Sequence, residues 1–343
     1  MANLSYARGR WMNLDKPGGA VFFVSGGTAS YPGGLGASNV YKGLTPEEPF
    51  STIQKGLDQC VSGRGDTVVI TPGSITVTAA LTMDSDDVTL AASQPSSPNS
   101  RSASVIVNAT DVNTVEVNAN NVVIDGIEFD DNVATATADT AVIACNTASS
   151  ATDYVGFKVI NCFLDMLGSD SDRDGIALGL TADATDGAIG ALVEGTTILD
   201  CDQDAIVINV GSEFSVVRNC VITESANLTR YGVEVLAVRC RVEDCIIEVG
   251  LSAGACVHNG VAAARLIVTG CHLSAIGADT IALAAIATAT GRSSGNWLTA
   301  LAAGNLNDYV TDNTTPSADC NLSGIFAATP GVSAFDNVSV DGS

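Results

Sequence analysis

The stretch LDCDQDAIVIN (199–209) brings Asp200, Asp202 and Asp204 close together. Two carboxylates set either side of a sugar can hydrolyse a glycosidic bond. Asp202 and Asp204 are therefore candidate catalytic residues, although turn-forming, solvated aspartates explain the same stretch more simply. A second run, SDSDRD (169–174), offers the oxygens of Asp170, Asp172 and Asp174 to Ca²⁺. It lacks the full ligand spacing of a dedicated loop, so a flexible acidic turn is the simpler account. His258, in VHNG (257–260), is the third catalytic candidate and falls in a strand. His272 follows Cys271 directly, but adjacent strand residues point to opposite faces, so the two do not form a thiol dyad. The chain holds 10 cysteines and 2 histidines. No Cys-x-x-Cys occurs, and Cys240 and Cys245 are the nearest pair. A zinc site is not expected from this set, nor is any cofactor.

The elements that would position these groups are legible in composition. β-Branched residues with Gly, Asn and Asp favour short strands and tight turns. Lys and Arg number 15 against 38 Asp and Glu, a formal charge of −23 at pH 7. Such a surface cannot neutralise phosphates, which argues against nucleic acid and against anionic membranes. No apolar run approaches the ~18 residues of a membrane span. The opening MANLSYARGRWMNLDKPGG has no apolar signal-peptide core, which also argues against disulfides.

Residues 1–19 read as a docking arm, with Arg8, Arg10 and Lys16 against Asp15, and Trp11 among them. Residues 20–65 hold a strand, a Gly-rich loop and a capping helix. In TPEEPFSTIQKGLDQC (45–60) the apolar Phe50, Ile53, Leu57 and Cys60 follow helical spacing over 49–61. Residues 66–290 are a procession of short strands, and 291–343 read as a C-terminal cap.

The strand region repeats. Five cysteines, Cys162, Cys201, Cys220, Cys245 and Cys271, each follow Asn, Asp or Gly. Three residues before them stand Val159, Ile198, Val217, Val242 and Val268. A second column runs Ile176, Ile206, Val233, Cys256 and Ile281. Self-similarity at about 20–25 residues marks a solenoid. The expected fold is all-β: a single-stranded right-handed parallel β-helix of about ten coils, on the order of 50 Å long. The residue before each Cys makes a left-handed bend between sheets. The Cys itself enters the core as a small hydrophobe. The cysteines thus read as a structural ladder.

NVYKGLTPEEPFSTIQKGLDQCVSGRGDTVVITPG (39–73) resembles the start of right-handed β-helix proteins of the pectate-lyase-like class, and the resemblance extends through the x-Asn-Cys coils to about 290. It implies the fold and leaves function open, since one fold hosts many functions. Members include polysaccharide lyases and hydrolases, phage tailspikes and non-enzymatic virion proteins. LDCDQDAIVIN also resembles the paired aspartates of polygalacturonase-type hydrolases, but that family's Gly-His-Gly and Arg-x-Lys segments are missing here. Lyases of the class use a Lys or Arg base with calcium, whereas from 159 to 290 the basic residues are Arg173, Arg218, Arg230, Arg239, Arg241 and Arg265. With no complete active site, the sequence points to a non-enzymatic virion protein of a tailed phage, a capsid decoration or spike. Its expected partners are itself, as a homotrimer by resemblance, a major capsid or other virion protein, and a host surface glycan. The alternative is a polysaccharide-binding or -degrading tailspike or lyase.

Overall fold

A computed structural model describes residues 18–300, apart from 27–36, 95–100, 103, 109, 132–139, 146–152, 167–172, 180–186, 202, 224–230, 251–253, 261–264, 276–280 and 286–290. The chain is a right-handed parallel β-helix. Each coil visits three sheets in turn. Among the described residues sheet A has ten strands, sheet B nine and sheet C eight. Every pairing between neighbouring coils is parallel, as between Lys158–Ile160 and Leu192–Glu194 in sheet A, Phe163–Asp165 and Thr197–Leu199 in sheet B, and Arg173–Leu178 and Ile206–Ile208 in sheet C. A further two-stranded pair joins Tyr154–Val155 to Ala188–Ile189.

Like stacks on like inside. In sheet A the inward column runs Leu90, Ile124, Val159, Val193, Val217, Val242 and Val268. In sheet B it runs Ile106, Phe129, Leu164, Ile198, Ile222, Ile247 and Leu273. All are buried in one continuous core. Burying one such side chain is worth about 1.5–3 kcal/mol, and the 4–5 Å coil spacing lets each contact both neighbours.

The bend from sheet A to sheet B is two residues long from Gly126–Ile127 onward. Its first residue is left-handed: φ is 51° at Asn161, 61° at Gly195, 53° at Asn219, 52° at Asp244 and 68° at Gly270. A left-handed residue costs roughly 1–2 kcal/mol unless it is Gly, or Asn or Asp with local hydrogen bonding. The second residue turns inward. Cys162, Cys220, Cys245 and Cys271 are buried there. Each thiol lies 3.2–3.5 Å from the carbonyl two residues earlier and 3.6–3.8 Å from a carbonyl of the preceding coil.

Cys201 is not on this ladder. Its coil makes the bend with Gly195 and Thr196, and Val193 fills the position assigned to Ile198. Ile198 is instead the sheet B column residue between Leu164 and Ile222. Cys201 follows the left-handed Asp200 at the next bend, from sheet B to sheet C, with its thiol 3.4 Å from the Arg173 carbonyl. The second column also shifts, by one residue and then by two. Val233 pairs with Val257 and then Leu283, not with Cys256 and Ile281, because Tyr231 aligns with Ala255 and Ile281, each later than the pattern suggests.

The repeat begins and ends outside 66–290. Val21–Val24 pairs with Thr67–Ile70 as the first strand of sheet A. Gly291–Ser294 and Trp297–Ala300 continue sheets A and B beyond 290. The helix is shorter than 49–61, covering Ile53–Leu57 with Thr52 as its N-cap. Phe50 lies outside it, in a bridge to Val24. Ile53, Gly56 and Leu57 are buried, and a Cβ on Gly56 would stand 2.9 Å from Val68 and 3.0 Å from Val24. Nine cysteines are described, all free thiols.

Candidate functional site

The outer face of sheet B gathers the chain's most unusual charged cluster. Glu128 opens the strand Glu128–Asp131, and the next coil places Phe163 beside it and Asp165 beside Asp130. Side chains two residues apart on a strand share a face, so Glu128, Phe163 and Asp165 all point outward. Arg101, just before the strand Ser104–Asn108, reaches across them. Its Nη1 donates to Glu128 Oε1 at 3.1 Å and its Nη2 donates to Asp165 Oδ2. Its guanidinium lies 5.0 Å from the centre of the Phe163 ring. The Arg101 side chain is 56% exposed, whereas Glu128 and Asp165 are buried beneath it.

The two carboxylates differ in what surrounds them. Glu128 Oε2 is buried with no hydrogen-bond partner among the described residues. A buried, unpartnered carboxylate oxygen is costly when charged, so the site favours the neutral acid. Burial pushes the Glu128 carboxyl above its usual range, against the lowering pull of Arg101. Asp165 accepts from the same guanidinium through Oδ2. The cluster therefore offers a cation and two carboxyl groups, that of Glu128 raised by burial, within one guanidinium's reach.

Beside it, at the bend from sheet B to sheet C, Arg173 is fully buried. Asp131 accepts from its Nε at 2.8 Å, Thr140 Oγ1 and the Val112 carbonyl accept from its Nη1 at 2.8 and 3.1 Å, and Asp111 lies 3.8 Å away. It is thus an internal tie between coils and not a surface cation.

The residues singled out in sequence are dispersed. Asp204 is buried and accepts a hydrogen bond from the Tyr231 amide at 2.9 Å, while its own amide donates to Asp174 Oδ1 at 3.2 Å. Both aspartates tie one coil to the next. Asp202, Asp170 and Asp172 lie outside the described residues, as do Arg8, Arg10, Trp11 and Lys16 of the arm. His258 stands on the outer face of sheet C, with Nδ1 3.3 Å from Glu234 Oε1 and its ring stacked on Tyr231 at 4.1 Å between centres. Among the described residues no cluster of three or more His, Cys, Asp or Glu is placed to hold a metal ion. Cys162 is a poor nucleophile: burial pushes its thiol up to about 12, and a protonated thiol does not attack.

No protein-family model matches the chain, and no curated protein matches it. Solved structures do. The Agl-KA catalytic domain aligns at TM-score 0.51 and 15% identity, covering 68% of this chain and 42% of that one. The PL6 family alginate lyase AlyGC aligns at TM-score 0.51 and 14% identity, covering 83% of this chain and 40% of that one. XylC, solved with xylose, aligns at TM-score 0.50 and 12% identity, covering 81% and 68%. The chain thus spans about two fifths of the length of the first two. What is shared at such identities is the parallel β-helix fold. The expectation of a non-enzymatic protein is corrected by this comparison: the structures that share the fold include an alginate lyase and a named catalytic domain.

Proposed function

We propose that the protein cleaves an acidic polysaccharide by β-elimination at Arg101, Glu128 and Asp165. The observation that carries this reading is the exposed Arg101 guanidinium held between two unlike carboxylates. In a chain of net charge −23, an exposed cation on a sheet face is suited to one task above others, binding a negative group. Arg101 binds the carboxylate of a uronate and draws charge from the adjacent ring carbon. Asp165 takes the proton from that carbon. The electron pair left behind forms a carbon–carbon double bond, and the bond to the departing sugar's oxygen breaks. Glu128, its carboxyl raised by burial, gives its proton to that oxygen. Each residue has one role, and hydrolysis would leave Arg101 without one.

The test is a turnover assay on alginate, pectate and bacterial capsular polysaccharides. Release of unsaturated sugar ends, read by ultraviolet absorbance and lost in Glu128→Gln and Arg101→Ala, is the expected result. Reducing ends without unsaturation would replace elimination by hydrolysis, a reading that the shared face of Glu128 and Asp165 also favours. No cleavage of any acidic polymer would overturn the proposal.

A further inference from the structure

A second set of residues stands on the edge where sheet C turns into sheet A. Two residues before the register start of successive sheet A strands the backbone is left-handed: Asp87, Asn121, Gly156, Gly190, Phe214, Arg239 and Arg265 occupy this position. Asp, Asn and Gly are the types that tolerate this backbone best. Phe and Arg are not, yet three consecutive coils carry them, with φ of 61°, 62° and 54°. The bend does not need their bulk. A Cβ placed on Gly190, in the coil before Phe214, would meet nothing within 4 Å. Strained positions that carry bulk a neighbouring coil does without motivate a functional hypothesis.

The three side chains face solvent. Phe214 is 50% exposed. Arg239 is 49% exposed, its guanidinium lies 5.2 Å from the centre of the Phe214 ring, and Glu213 is 3.6 Å from it. Arg265 is exposed in the next coil. Val216, Arg241 and Ile267 are register partners, so Phe214, Arg239 and Arg265 rise one coil at a time, about 4.8 Å each. That step is close to the length of one sugar ring. The chain has only 15 cations; half-exposed Arg218 and Arg241 also stand nearby on sheet A, each paired to a glutamate.

We infer that Phe214, Arg239 and Arg265 form a second, non-catalytic binding site for an acidic polysaccharide, resting on the substrate class proposed above. The ring takes the apolar face of a sugar, and the two guanidinium groups take uronate carboxylates on successive residues. The site lies on a different edge from sheet B, so it holds polymer without taking part in its cleavage. A single-stranded nucleic acid would use the same aromatic and Arg chemistry, so DNA is one arm of the test.

The test uses full-length protein disabled by Glu128→Gln and Asp165→Asn, with the corner intact or changed to Phe214→Gly, Arg239→Gly and Arg265→Gly. Retention is measured in gels containing pectate, alginate, a neutral glucan or single-stranded DNA, beside thermal melting. The intact corner should be retained by an acidic polysaccharide and not by the glucan. The triple variant should lose that retention at least tenfold while melting no lower, because glycine relieves the left-handed strain. Retention unchanged by the substitutions, absent throughout, or equal on DNA would overturn the site. A variant that loses retention and melts markedly lower would show a structural role and would also overturn it. Cleavage of polyuronate by the active enzyme with no effect of the corner would sink this inference alone. Corner-dependent retention without any cleavage would sink the elimination reading alone.

Discussion

Arg101 and Asp165 stand 64 residues apart in the chain and share a hydrogen bond on the outer face of sheet B. The guanidinium crosses one intervening coil to reach the carboxylate, and bonds Glu128 on the way. Three positions of a linear sequence thus become one cation and two acids in contact.

If elimination runs through this cluster, Glu128→Gln and Asp165→Asn should each lower kcat/KM by roughly 10²–10⁴-fold, the usual contribution of a positioned acid or base. Arg101→Ala should cost on the order of 10²–10³-fold, as loss of one charge-stabilising donor does. Steady-state kinetics on the cleaved polymer, beside melting curves close to wild type, checks this. Full activity in Glu128→Gln would remove Glu128 from the reaction.

The pH profile should follow Glu128. Its carboxyl is raised by burial, so activity requiring its proton declines as pH rises through that raised value. Glu128→Gln should abolish this limb. The same shift acts on stability. A carboxyl raised in the folded state contributes stability below its unfolded pKa and loses it as pH rises through the folded one. Melting temperature should therefore fall in wild type relative to Glu128→Gln as pH rises through that transition.

Asp66 should act in the opposite sense. It is fully buried and accepts from the amides of Ala20 and Val61 at 2.7 Å each and from Arg64 at 2.6 and 2.7 Å. Burial alone would raise its carboxyl, but Arg64 and the two amides outweigh that and hold it below the usual range. Its stabilising effect is present above the unfolded value and is lost as pH falls through the lowered one. Acid melts of Asp66→Asn should show a shallower decline than wild type, from a lower starting temperature.

Val242 is fully buried between Val217 and Val268. Val242→Asp should destabilise by more than ~4 kcal/mol, since it buries a charge with no partner. Circular dichroism melting would show this, and an unchanged transition would contradict the register.

The fold was legible in sequence because its bends demand particular residues. Asn161, Asn219, Asp244 and Gly270 are the types a left-handed corner accepts, and the cysteines after them are small enough to enter the core. The pattern misled at Cys201 because Gly195 and Thr196 perform the same turn without a cysteine. The opposite edge was illegible because Asp87, Gly156, Phe214 and Arg239 share a backbone shape but no chemistry. The site was hidden for a related reason. Coil lengths vary, so no fixed spacing announces that Arg101, Glu128 and Asp165 converge. The aspartates that did stand out, Asp174 and Asp204, lie 30 residues apart and serve neighbouring coils as ties.

The two-residue bend from sheet A to sheet B has a last consequence. Its length is constant from Gly126 to Asn296, while the other two connections range widely. One edge of the solenoid is therefore a hinge-free spine, and the other two are shelves. A segment lengthened, trimmed or exchanged on a shelf leaves every rung of the spine in register. The outer surface can be changed one coil at a time, with the core never rebuilt.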